Sequence, residues 1–118
     1  MTLDEFFEEQ EQARQLFEAV RSVVDSIGGA ELRVTKGQIA FRRRRAFAWA
    51  WMPGKYLRGK IAPLVLTLSF RQRNGSPRWK EIVEPYPGRF THHLELHSIK
   101  DVNEEVRDWL QESWTTAA

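Results

Sequence analysis

The chain has 118 residues, the usual size of one domain, and 42% of them are apolar, which supplies a packed core and excludes wholesale disorder. It contains no cysteine, so disulfide frameworks, thiolate metal sites and cysteine nucleophiles are excluded. The net charge of +2 conceals a segregation: residues 1–30 carry a net charge of −5, residues 31–100 carry +11, and residues 101–118 carry −4.

Apolar residues between Leu3 and Ile27 recur at spacings of three, four or seven, which predicts one long amphipathic helix. Thr2 and Glu5 have the spacing of a capping box, and the glycine pair at positions 28 and 29 ends the helix. The acidic start of the chain differs from the basic start of a signal peptide, and no apolar run is long enough to span a bilayer. We therefore expect a cytoplasmic protein.

From residue 32 to residue 96 the apolar period changes to two, which predicts five short strands. Their apolar residues are Leu32 and Val34; Ile39 and Phe41; Phe47, Trp49 and Trp51; Leu64, Leu66, Leu68 and Phe70; and Leu94 and Leu96. Short connections between the first strands favour antiparallel hairpins. Residues 72–90 are predicted to form a structured excursion with one helical turn near Trp79.

A second acidic helix is predicted at the end of the chain, with Asp101 as its cap and an apolar stripe from Val102 to Trp114. The sequence thus predicts one domain over residues 1–118 with an α+β fold. The N-terminal and C-terminal helices pack on one face of a mainly antiparallel five-stranded sheet, giving a two-layer sandwich with the element order α-β-β-β-β-β-α.

The two faces of this sheet are expected to differ. If the large apolar side chains face the helices, Phe41, Trp49, Leu66, Leu68 and Trp109 are buried together. The opposite face then has a floor of small side chains, formed by Ala46, Ala48 and Ala50. Because alanine is a poor strand former, this floor indicates that the excursion, a second subunit or a ligand approaches it closely.

Several strings of residues along the chain are distinctive as a set. They are FRRRRAFAWAWMPGKYLRGK, APLVLTLSF, PRWKEIVEP, HHLELH and the closing DWLQESW. With them, nearly the whole chain resembles an uncharacterised family of small bacterial domains, which also occur as C-terminal modules of proteins labelled predicted transport proteins. The resemblance implies a helix–strands–helix unit and, because the family carries only a domain-of-unknown-function label, no activity or site. The element order is also similar to that of frataxin-like domains, which bind iron through acidic surface residues, but element order alone carries no site.

Six arginines are predicted to meet at one end of the sheet, and we call them the arginine pole. They are Arg42, Arg43, Arg44, Arg45, Arg71 and Arg73. Antiparallel pairing brings the second hairpin next to the end of the fourth strand. Clustered guanidinium groups bind phosphate or carboxylate in bidentate fashion, and they bind nucleic acid by releasing counterions. The alternative is that these arginines pair with the acidic helices or stand solvated.

Three further residues, His93, Glu95 and His97, alternate along one strand and so share a face, where they would chelate a metal ion or form a solvated surface. His92 alternates with leucines and is predicted to point inward and to form hydrogen bonds. Trp79 lies on the excursion, where it is predicted to pack over the alanine floor or to act as the lid of a pocket.

These patterns predict a binding domain rather than an enzyme, since no catalytic spacing or phosphate-binding loop is present and no cofactor is implied. The predicted ligand-binding residues are the arginine pole, with Trp79, His93, Glu95 and His97 on the sheet face. The expected partner is an anionic small molecule or an acidic protein, with nucleic acid as a further candidate and no membrane, for a monomer or homodimer. Two alternatives stay open. One is a metal-dependent enzyme or metal carrier using the histidine strand, and the other is a structural dimerisation adaptor joined through the alanine floor.

Overall fold

The computed structural model, which describes all 118 residues, contains three α-helices and six β-strands. The helices are α1 (Leu3–Phe6), α2 (Glu11–Ile27) and α3 (Glu104–Thr116). The strands are β1 (Glu31–Val34), β2 (Ile39–Arg42), β3 (Ala46–Trp51), β4 (Leu64–Phe70), β5 (Glu81–Tyr86) and β6 (Arg89–Leu96). Short 3-10 turns occupy Pro53–Lys55 and Ile99–Asp101. None of the helices is both long enough and apolar enough to span a lipid bilayer.

The strands form one antiparallel sheet in the order β1-β2-β3-β4-β6-β5. The α+β class and the antiparallel sheet are confirmed, but the prediction of five strands is wrong, because β5 replaces the helical turn expected within residues 72–90. This strand pairs only with β6, through a tight turn in which Gly88 has a φ of +81°. As an exposed edge strand with only Ile82 partly buried and with Pro85 in it, β5 lacks the clear apolar alternation that reveals a strand in a sequence.

The N-terminal helix is interrupted after Phe6, and the prediction of one continuous helix is wrong. Phe6 and Phe7 are both buried, with ring centroids 4.8 Å apart in an edge-to-face contact. The chain turns between α1 and α2, with Glu9 in the left-handed region at a φ of 58°. The interruption thus separates a short capped turn, which carries Phe6, from the longer helix α2.

The sequence identifies one helix cap correctly and misplaces the other. Thr2 and Glu5 form the predicted capping box, with each backbone N–H donating to the other side chain at 2.9 and 3.1 Å. Helix α3 is capped by Asn103, whose side chain accepts from the Val106 N–H, rather than by Asp101. The Asp101 carboxylate instead accepts from the backbone N–H groups of residues 97 and 98, and these hydrogen bonds lower its pKa.

Helices α2 and α3 pack on one face of the sheet, and the hydrophobic core lies between the two layers. Phe41, Leu66, Leu68 and Trp109 are buried together there, as predicted. Phe17 of α2 contacts this group through Phe41, with ring centroids 5.6 Å apart. Since the helices carry the acidic ends of the chain and the sheet carries its basic middle, the two layers have opposite charge.

The predicted faces of β3 are inverted from Ala48 onward, whereas Phe47 is buried in the core as predicted. Ala48 and Ala50 are fully buried beneath the helices, whereas Trp49 and Trp51 are partly exposed on the opposite face. The pairing of β2 with β3 shifts by one residue between Phe41 and Arg42, so that Phe47 and Ala48 are both buried and the alternation restarts one residue later. Two residues of the alanine floor, Ala48 and Ala50, therefore belong to the core, and the face turned away from the helices, which we call the open face, is aromatic.

Candidate functional site

Basic residues dominate the chain around the open face. Between Glu31 and Glu81 the sequence has thirteen lysines and arginines and no acidic residue. This stretch includes the turn between β1 and β2, the loop from residue 52 to residue 63, and the whole arginine pole. The positive charge of the molecule is therefore concentrated on the sheet layer and its connecting turns.

The arginine pole lies where β2 ends, β3 begins and β4 ends. Arg42 ends β2, residues 43–45 form the turn into β3, and the remaining two arginines follow β4. Arg45 and Arg71 line one small cavity of about 30 Å³. Arg89, which sequence reasoning missed, lines the same cavity because β6 starts beside the end of β4. The structure thus brings Arg45 and Arg71 together, with a third guanidinium added.

The cavity between these arginines also has hydroxyl groups. Ser69, Ser113 and Thr116 contribute to its lining. Arg89 donates to the Ser69 hydroxyl oxygen at 2.6 Å, which holds its guanidinium in place. The cavity is small, at about 30 Å³, and would admit one anionic group of a ligand rather than a large molecule.

No arginine of the pole lies within 4.0 Å of a carboxylate. The arginine ion pairs of the chain are Arg14–Asp4, Arg21–Glu18 and Arg78–Glu105, none of which includes a pole residue or Arg89. The pole therefore forms no ion pair with the acidic helices. Arg44 and Arg45 are exposed, as are both arginines that follow β4.

Arg43 differs from its neighbours, because it is anchored to α3. Its guanidinium lies 3.5 Å from the centroid of the Trp114 ring and donates to the Trp114 carbonyl oxygen at 3.2 Å. The next residue, Arg44, donates its backbone N–H to the Ala117 carbonyl at 3.1 Å. Trp114 in turn donates from its indole nitrogen to the carbonyl of Gly29 at 3.0 Å. The turn that carries the pole is thus docked on the end of a helix.

The open face carries a groove, here called the aromatic groove, formed by Trp49, Trp51, Tyr56, Thr67 and His93. Its volume is about 480 Å³. Direct pairing across β3, β4 and β6 aligns Trp49 with Thr67 and Thr67 with His93, so these side chains share one face. The indole nitrogen of Trp51 donates to the Thr67 hydroxyl at 2.9 Å, and that hydroxyl lies 2.7 Å from Nδ1 of His93.

Histidine 93 is held by this network rather than by acidic neighbours. Burial lowers its pKa below the usual value of a histidine, although the nearby Glu81 carboxylate opposes the shift. Its Nε2 lies 4.0 Å from Glu81, and Nε2 of His97 lies 3.9 Å from Glu95. The structure thus places His93 with Glu81, and His97 with Glu95. No group of three or more histidine or acidic side chains in the chain is arranged to hold a metal ion.

Two residues of the predicted site region belong to the core. Trp79 is 9% exposed and packs on Trp109 with ring centroids 4.2 Å apart, so the prediction that it covers the open face is wrong. His92 points inward as predicted, with Nδ1 3.1 Å from the Phe90 carbonyl and Nε2 accepting from the Asn74 N–H at 3.0 Å. Burial lowers the pKa of His92 and favours the neutral ring that this bonding pattern requires.

Sequence reasoning also missed the aromatic residues of the groove. Trp49 and Trp51 alternate with alanines, and this pattern fits either face of a sheet equally well. A signal for the correct face was present in the next strand, where Val65, Thr67 and Ser69 mark the side away from the leucines. Tyr56 lies in the loop of residues 52–63, where no periodicity indicates its direction.

A comparison with known protein families assigns residues 3–117 to DUF5655, a domain of unknown function, and the chain therefore belongs to that family. No curated protein and no solved structure shows significant similarity to the chain. The predicted membership of a family of unknown function is thus confirmed.

Proposed function

We propose that this DUF5655 domain is a binding domain for an anionic ligand, and that the arginine pole, extended by Arg89, is its binding surface. The observation that carries the proposal is the lack of carboxylates within 4.0 Å of these arginines, in a chain whose acidic residues are numerous but lie mainly on the helices. Guanidinium groups that are not ion-paired within the protein can form charge-assisted hydrogen bonds with phosphate or carboxylate oxygens of a ligand.

The cavity between Arg45, Arg71 and Arg89 supports this proposal with a specific geometry. Arg45, Arg71 and Arg89 line a space of about 30 Å³ together with Ser69 and Ser113. Its size suits one oxyanion group rather than a large molecule. The rest of the ligand would extend over the exposed residues 43, 44 and 73, which favours a ligand with several anionic groups.

The two alternative functions have less support. A metal site on the histidine strand needs converging ligands, but His93 is bonded to Thr67 and no suitable cluster is present. A dimer formed through the alanine floor needs that floor at the surface, whereas Ala48 and Ala50 are buried beneath the helices. The open face remains available to a partner, but through aromatic rather than small side chains.

Binding of inorganic polyphosphate, measured over a series of salt concentrations, tests the proposal. The variant carrying Arg45→Gln and Arg71→Gln removes two guanidinium groups from the cavity. The control variant carrying Arg14→Gln and Arg21→Gln removes the same charge from α2, where both arginines are already ion-paired.

We expect the cavity variant to bind polyphosphate more weakly than the unmodified protein does. Its binding constant should also depend less steeply on salt concentration, because up to about two fewer counterions are released, while the control variant changes little. Equal losses in both variants would show that only net charge matters. That result, or a lack of binding at low salt by the unmodified protein, would contradict the proposal.

A further inference from the structure

We propose that the aromatic groove receives unstacked bases of single-stranded nucleic acid whose phosphates lie along the basic turns and the arginine pole. This inference rests on the proposed function, because it names the anionic ligand. It adds the aromatic groove as a second site. The residues of this groove are pointed out neither by the family assignment nor by the position of the arginine pole.

The rings of the groove are held in position and yet remain accessible. Trp51 is fixed by its hydrogen bond to Thr67 and by an edge-on contact with His93, whose ring centroid lies 5.9 Å away. Tyr56 lies 6.4 Å from Trp51 and is 61% exposed. Aromatic faces that are oriented by the sheet and not covered by a helix are the stacking platforms used by proteins that bind single strands.

The open face offers two adjoining spaces rather than one. The groove of about 480 Å³ and a neighbouring cavity of about 230 Å³ share Trp51 and His93 in their linings. The second cavity is bounded by the exposed Leu57 of the loop and by Val65 of β4. Two planar rings on either side of Trp51 would therefore each have an apolar surface to stack on.

Polar groups in the two spaces match the edges of bases. The Thr67 hydroxyl accepts from Trp51, and we assign its proton to Nδ1 of His93, so that the neutral ring carries its own proton on Nε2. That N–H can donate to a base carbonyl or ring nitrogen. Glu81 and Glu95 line the second cavity, where their carboxylates can accept from exocyclic amino groups.

The charge around the groove complements a phosphate backbone. Lys36 lies in the turn between β1 and β2, and Lys55, Arg58 and Lys60 lie in the loop of residues 52–63, which has no acidic residue. From Thr67 of the groove, β4 runs four residues to the pole, a distance of roughly 13 Å at the rise of a strand. A few nucleotides would bridge these two sites.

The same geometry disfavours a duplex. Paired bases are stacked inside the double helix and cannot lie on Trp49 or Tyr56. The major groove admits a helix or a two-stranded ribbon, and a six-stranded sheet is too broad to enter it. We therefore expect a preference for single strands, which simple attraction between a basic protein and a polyanion would not produce.

The test is fluorescence anisotropy with labelled 12-mer oligonucleotides of one mixed sequence: single-stranded DNA, single-stranded RNA and the DNA duplex. Inorganic polyphosphate, added as an unlabelled competitor and also titrated alone, reports the arginine pole without bases. The groove variants are Trp49→Ala and, in case that substitution disturbs the sheet, Tyr56→Ala in the exposed loop. The control is Ile99→Ala, which removes an exposed apolar side chain that lines neither the groove, the second cavity nor the cavity of the arginine pole.

We expect at least one single strand to bind more tightly than the duplex, and each groove variant to weaken that binding about tenfold while its affinity for polyphosphate stays within about twofold. Ile99→Ala should change neither. Equal binding of duplex and single strand, or no effect of either groove variant, would overturn the inference and leave the arginine pole standing if polyphosphate still binds. Single-strand binding without polyphosphate binding would instead overturn the proposed role of the pole.

A dimer in solution that Trp49→Ala dissociates would assign the groove to a second copy of the chain and overturn the inference.

Discussion

Replacing Gly28 with alanine should separate the arginine turn from the helix on which it is docked. A Cβ atom at this position would lie 2.3 Å from Cζ2 of Trp114, closer than real side-chain contacts allow. The ring must move, and it would then lose its hydrogen bond to Gly29 and its stacking beneath Arg43. This one methyl group thus perturbs two contacts that join the end of α2, the end of α3 and the arginine turn.

The magnitude follows from those contacts. Overpacking costs about 1–3 kcal/mol, a lost hydrogen bond about 1 kcal/mol and an exposed cation–π contact about 0.5–1 kcal/mol. Movement of Trp114 relieves part of the overpacking while it removes the other two contacts, so the terms do not simply add. We expect the free energy of unfolding to fall by about 2–3 kcal/mol.

Urea unfolding monitored by circular dichroism measures this change, with Gly75→Ala as the matched control. No atom lies within 4 Å of a Cβ built at Gly75, and its backbone conformation is one that alanine adopts, so the same substitution there should be neutral or slightly stabilising. Equal midpoints for the two variants would refute the account of how the arginine turn is held.

Two further predictions concern the core and the two histidines His92 and His93. Leu68→Ala should lower the free energy of unfolding by about 2–5 kcal/mol, because it leaves a cavity between the helices and the sheet. Trp49→Ala should lower it less, because the Trp49 ring is partly exposed. A larger loss of stability for Trp49→Ala than for Leu68→Ala in urea unfolding would contradict the assignment of faces. Burial lowers the pKa of His92 and His93 in the folded state, so the unfolded chain takes up protons first as the pH falls. The contribution of these neutral rings to the free energy of unfolding is therefore fully present above about pH 6.5 and is lost progressively below it. Urea midpoints that stay constant from pH 8 to pH 5 would show that the two histidines do not make this contribution.

Most of the fold follows from local patterns in the sequence. The period of the apolar residues predicts the terminal helices and the strands with buried leucines, because those elements bury one face and leave the other in water. The edge strand β5 was missed because it is exposed on most of its surface. The break after Phe6 and the inverted face of β3 depend on how side chains fill the core and on a register shift between strands. Neither the break after Phe6 nor the change of face in β3 is encoded in the spacing of the apolar residues.

The candidate site was predictable to a similar extent. Antiparallel pairing alone places the arginine turn beside the end of β4, so the position of Arg45 near Arg71 follows from the sequence. Arg89 joins them only because β5 forms a hairpin with β6, which fixes where β6 begins. The aromatic groove could not be found while Trp49 and Trp51 were placed in the core.

The central claim, that the arginine pole and Arg89 bind an anion, is tested most directly by a nuclear magnetic resonance titration with inorganic polyphosphate that follows the arginine side-chain Nε–H signals. We expect saturable shifts of these signals for Arg45, Arg71 and Arg89, with little change for Arg14 and Arg21 on α2. Shifts spread evenly over all arginines, or confined to the helices, would contradict it.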